Sequence, residues 1–85
     1  MRQIEKILLQ MRNTPKNVAY RDLHKVCEHF FGPPRVAKGS HSIFRTGWNG
    51  DPRVNIQNNR GMAKSYQVKQ VLLAIARLEE ENEQT

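Results

Sequence analysis

Cysteine is nearly absent. Cys27 is the only one in 85 residues, which excludes an intramolecular disulfide framework and fits a reducing cytoplasm. With that lone thiol and three histidines, no spacing resembles a zinc site, and neither a metal nor another cofactor is expected. Long apolar runs are missing too, with nothing near the ~18 residues of a membrane span. The opening Met1-Arg2-Gln3-Ile4-Glu5-Lys6 is amphipathic and carries an acid, unlike a secretory leader. A cytoplasmic protein is therefore expected. Acidic residues are few beside the basic ones: eight stand against fourteen Lys and Arg, for a net charge of +6. Four of those eight, Glu79, Glu80, Glu81 and Glu83, crowd into the last seven residues. Residues 1–78 thus hold fourteen cations against four acids, a net of +10. From His29 to Leu78 the only acid is Asp51. A basic stretch of this density is the footprint of a polyanion partner, most commonly a nucleic acid.

What is present reads as one small domain over residues 1–85: an N-terminal helix and turn over 1–16, a core over 17–78 and an acidic tail over 79–85. Ile4, Ile7, Leu8 and Met11 fall on one helical face, and Asn13-Thr14-Pro15 ends that helix. The face serves either the core or a partner. Leu23, Val26, Cys27, Phe30 and Phe31 repeat the helical spacing, stopped by Gly32-Pro33-Pro34. Cys27 lies on that apolar face and reads as a buried structural thiol; His24 and His29 read as boundary residues.

The period then changes. Arg35-Val36-Ala37-Lys38 is a weak strand, 41–46 a better one bounded by Gly39 and Gly47, and Arg53-Val54-Asn55-Ile56-Gln57 alternates cleanly. Asn49-Gly50 predicts a hairpin between the last two, and Asn58-Asn59-Arg60-Gly61 reads as a polar loop. Ser65 suits the N-cap of a last helix with Val68, Val71, Leu72, Ile75 and Leu78 inward and Tyr66 as a packing residue. The order predicts an α+β two-layer sandwich: helix, helix, three-stranded antiparallel sheet, helix. Its helices cover one sheet face and leave the other as the working surface.

Chemistry concentrates in Lys38-Gly39-Ser40-His41-Ser42-Ile43-Phe44-Arg45. Gly39 permits a tight turn, and His41 is the side chain best suited to move protons near neutral pH. Lys38 and Arg45 are the first candidates for phosphate contacts, with Gly39, Ser40 and Ser42 beside them. Such cations stabilise charge building on phosphoryl oxygens. RNA brings its own nucleophile, the 2′-OH, so one histidine and nearby cations suffice for cleavage without a metal. Alternation puts His41, Ile43 and Arg45 on one face and Ser42, Phe44 and Thr46 on the other. Both faces hold a large apolar residue, so alternation alone does not choose between them; Phe44 is the expected core residue, which leaves His41 facing outward. Arg35, Arg53, Arg60 and Lys64 are further candidates for RNA contact, and Trp48 suits either stacking on a base or anchoring a protein partner.

The segment Gly39-Ser40-His41-Ser42-Ile43-Phe44, within a small basic helix–sheet–helix chain, resembles the HicA family of bacterial mRNA interferase toxins. The stretch Asp51-Pro52-Arg53-Val54-Asn55-Ile56-Gln57-Asn58, with Gly61-Met62-Ala63-Lys64 and Tyr66-Gln67-Val68, is similar to a longer subgroup with an extra N-terminal helix. The resemblance covers roughly residues 18–78. It implies a fold like a double-stranded-RNA-binding domain and metal-independent cleavage of single-stranded mRNA. It also implies His41 as the catalytic histidine and neutralisation by a HicB-type antitoxin in a type II toxin–antitoxin system. Two departures stand out. Ser42 occupies the place where compact members often carry a second histidine, and Asn55-Ile56-Gln57-Asn58 replaces a His-containing segment. Water, Ser40 or Ser42 remain for the second proton transfer. A non-catalytic basic RNA-binding module is the alternative reading.

Overall fold

The computed structural model describes residues 2–39, 41–46 and 53–83. Along these run helix α1 (Arg2–Asn13), helix α2 (Tyr20–Phe31), strands β1 (Val36–Lys38), β2 (His41–Arg45), β3 (Arg53–Asn59) and β4 (Met62–Ala63), and helix α3 (Ser65–Glu83). All strand pairings are antiparallel and the sheet order is β1-β2-β3-β4. The expected α+β layout is thus present: helices gather on one side of an antiparallel sheet whose other side is open.

The helices form where apolar spacing demanded them. On α1, Ile7, Leu8 and Met11 are buried against α2 and α3, which settles that face as core rather than interface. Beyond Asn13 the Thr14 N–H and hydroxyl both donate to the Gln10 carbonyl, and Pro15 prevents continuation. Leu23, Val26 and Cys27 of α2 are buried, while Phe30 and Phe31 are only partly covered. Gly32 then closes α2, its N–H donating to the Glu28 carbonyl. On α3, Val68, Val71 and Ile75 are buried and Leu72 and Leu78 half-buried. The glutamate run after Leu78 continues the helix to Glu83.

Three local expectations are corrected. Asn58-Asn59-Arg60-Gly61 is not a loop: β3 runs to Asn59, pairs with Met62, and turns through Arg60 (φ 54°) and Gly61 (φ 85°). Two consecutive positive φ values make this a two-residue turn whose twist suits a hairpin. Asn58 Oδ1 accepts the Gly61 N–H at 2.6 Å and holds it. The start of α3 also differs, because the Lys64 carbonyl accepts the first helical N–H groups, from Gln67 and Val68, and Ser65 is already inside the helix. Tyr66 is 54% exposed rather than packed. The residues entering α2 form an isolated bridge to β4, Ala19 opposite Met62: Tyr20 N–H donates to the Gly61 carbonyl and Ala63 N–H to the Val18 carbonyl, both at 2.9 Å. Val18 joins the core as a result.

One polar side chain completes the sheet. The ladder between β3 and β4 stops at Asn58, which leaves the Gln57 N–H without a strand partner. Gln67, from the first turn of α3, is 4% exposed and accepts that N–H through Oε1 at 2.8 Å.

Candidate nucleic-acid interface

Alternation decides what each face of the sheet presents. Ser42, Phe44, Val54 and Ile56 are buried beneath the helices, whereas His41, Arg45, Arg53 and Asn55 are exposed and Ile43 and Gln57 half-exposed. His41 therefore faces outward, as the burial of Phe44 requires. His41 opens β2 directly after the turn at Gly39, whose φ of 61° suits a residue without a side chain. The resulting register pairs His41 with Lys38 on one side and Gln57 on the other. The turn brings the Lys38 backbone beside His41; the Lys38 side chain, together with Ser40, Trp48 and the Asn49-Gly50 hairpin turn, lies outside the described residues.

Arg45 shares the His41 face but not its neighbourhood. Four residues of strand at ~3.3 Å each separate the two by about 13 Å, with Ile43 between them. Arg45 instead stands opposite Arg53. These two join Arg35, Pro33 and Pro34 around an open concavity of about 520 Å³. The basic face thus has a histidine end and an arginine end.

Ser42 must be withdrawn from the phosphate-binding set. It points to the opposite side from His41, is 4% exposed, and shares a 2.8 Å hydrogen bond with the Tyr20 hydroxyl. The cause is the period of two along the strand: with Phe44 inside, Ser42 is inside as well. Arg60, in the exposed turn between β3 and β4, lies at the histidine end of the sheet, and Lys64 is half-buried where α3 begins. Gln57 and Asn55 were not singled out from the sequence as contacts. Their shared parity with Arg53 is the signal that identifies them, since it puts two amides on the open face beside His41 and Ile43.

The other two histidines and the cysteine lie on α2, away from this face. His24 sits on the core side, its Nδ1 2.9 Å from Glu28 Oε1 and its ring edge-on to Phe44 at 5.4 Å. His29 packs edge-on against Phe30. Burial, aided by the neighbouring Glu28 carboxylate, pushes the Cys27 thiol up to about 12, so it is inert as a nucleophile near neutral pH. Among the described residues no three His, Cys, Asp or Glu side chains converge as metal ligands, and no helix is long and apolar enough to cross a membrane.

No protein-family model, curated protein or solved structure matches this chain.

Proposed function

We propose that the open sheet face binds single-stranded RNA and that the protein is a metal-independent endoribonuclease with His41 as its proton carrier. On this reading it is a HicA-type toxin of a type II toxin–antitoxin system, cleaving mRNA in the cytoplasm and neutralised by a HicB-type antitoxin. The observation that carries the proposal is the exposure of His41 on a sheet face whose other charged side chains among the described residues, Arg45 and Arg53, are both cations. The two remaining histidines sit on α2, where His24 contacts core residues.

In the proposed step the neutral imidazole of His41 removes the proton from a ribose 2′-OH. The freed 2′-oxygen attacks the adjacent phosphorus, forming the P–O2′ bond as the P–O5′ bond breaks. The leaving 5′-oxygen takes a proton back from imidazolium or from water, and a 2′,3′-cyclic phosphate remains. The inward direction of Ser42 argues against that residue as the second proton donor. Lys38, whose backbone pairs with His41, is the cation proposed to stabilise the charge accumulating on the phosphoryl oxygens.

Incubating pure protein with a single-stranded RNA in EDTA tests this. Cleavage is expected, lost by a factor of about 10² or more in His41→Ala, and absent when the ribose is replaced by deoxyribose. Retained RNA binding in His41→Ala would accompany that loss. RNA that is bound but left intact by the wild-type protein would replace the nuclease with the non-catalytic RNA-binding module.

A further inference from the structure

The arginine end of the sheet has a geometry of its own. Gly32 closes α2 and Pro33-Pro34 carry the chain, with restricted φ, to the edge of the sheet. There the Arg35 N–H donates to the Ile43 carbonyl at 2.8 Å, next to the Val36–Ile43 pair. Arg45, the last residue of β2, faces Arg53, the first of β3, as direct cross-strand partners. Like charges in that relation oppose sheet formation rather than support it. Three arginines from three segments nevertheless line one concavity of about 520 Å³, within the roughly 300–1,000 Å³ of ligand-binding clefts. Arg45 and Arg53 also interact with other groups of the chain. A guanidinium carries five donors in a planar fork, so an internal interaction and a phosphate oxygen are compatible on one side chain. The prolines add an apolar wall against which a sugar or base can rest.

We infer that this concavity is a second phosphate subsite, which holds the backbone of a single-stranded RNA away from the bond beside His41. The inference rests on the RNA reading of the open face and extends it. Arg45 stands about 13 Å from His41 along the β2 backbone, with Arg53 opposite it, an offset that favours a different phosphate over the one beside His41. The arginines engage another phosphate of the same strand, while Ile43 and Asn55 lie under the nucleotides between. The face then recognises a length of strand and not an isolated phosphodiester. A dinucleotide occupies one end; a longer strand occupies both.

The test uses fluorescein-labelled 2′-O-methyl oligouridylates, which resist cleavage, from dinucleotide to octanucleotide. Binding is read by anisotropy at several salt concentrations. For the wild-type protein, affinity is expected to rise by about tenfold or more once the strand spans both ends, the worth of one charge-assisted hydrogen bond. In Arg35→Gln/Arg53→Gln that rise flattens, and the salt slope falls by about 0.7 for each phosphate that is no longer neutralised. Dinucleotide binding is unchanged. Arg35→Gln alone, at an exposed residue outside the strands, provides the same comparison if the double variant fails to fold. Arg35→Lys, which keeps the charge without the planar fork, is expected to fall between. An identical length profile and salt slope in wild type and variants overturns the subsite and leaves the RNA reading standing. A wild-type protein that binds no oligonucleotide of any length overturns both. An arginine-dependent length profile in a protein that cleaves nothing supports the subsite and removes only the nuclease.

Discussion

The two faces of the sheet are built from the same strands and differ in every property that matters. On the inner face Ser42, Phe44, Val54 and Ile56 meet α2 and α3. On the outer face His41, Ile43, Arg45, Arg53, Asn55 and Gln57 meet solvent. Adjacent residues such as Ile43 and Phe44 share sequence context and strand, yet one is partly exposed and the other fully enclosed. The inner face admits polar atoms only with partners. Ser42 has Tyr20, and Gln67 has the Gln57 N–H. Among the described residues no buried side-chain nitrogen or oxygen lacks a partner. The outer face, free of that constraint, carries the cations and the histidine. Stability therefore belongs to one side of the sheet, and the other is left for the proposed RNA contact.

That separation can be broken most forcefully at Phe44. Phe44→Ala empties the centre of the inner face and is expected to cost ~3–5 kcal/mol. That is a large share of the ~5–15 kcal/mol of a whole domain. The urea midpoint should fall with little change in slope; a drop under about 1 kcal/mol would mean the core does not depend on this face. Gln67→Leu comes next. It keeps the volume near that of glutamine but strands the Gln57 N–H, a cost of about 1–3 kcal/mol visible as a lower melting temperature.

Arg60→Asn runs the other way. Asparagine tolerates the left-handed backbone at φ 54° better than arginine, so thermal stability should rise by the equivalent of about 0.5–1 kcal/mol. An unchanged melting curve would show that the turn holds no such strain. The smallest expected effect is on the outer face: His41→Ala should change stability by no more than about 0.5 kcal/mol while abolishing cleavage. A His41→Ala protein that melts well below wild type would join the two faces and blur the comparison.

The helices were legible because each carries its apolar residues at helical spacing, and Ile7, Leu8, Met11, Leu23, Val26, Val68, Val71 and Ile75 all enter the core. The strands were legible from alternation, most clearly Val54 and Ile56 against Arg53, Asn55 and Gln57. The β3–β4 hairpin was not. Arg-Gly is no favoured turn pair, and Arg60 adopts a positive φ only because Asn58, Met62 and the backbone before α2 hold both arms in place. The entry into α2 was hidden for the same reason: Val18 and Tyr20 pair with residues more than forty positions away. At the candidate site, His41 and the density of positive charge could be read directly. The inward turn of Ser42 could not, since Ile43 and Phe44 are both large apolar residues and alternation alone does not choose between them.

The sequence by itself determined three apolar helical faces, an alternating pair of strands and a chain whose acids are scarce except at its end. Those are local patterns, and local backbone geometry with side-chain chemistry suffices to interpret them. Only the tertiary structure decided that Phe44, not Ile43, goes inside, and with it that His41 faces out and Ser42 in. It also brought Lys38 into register with His41 and gathered Arg35, Arg45 and Arg53 around one concavity at the other end of the strands. Burial is a property of two surfaces in contact, so the face a strand offers is chosen by the helices that cover the other one.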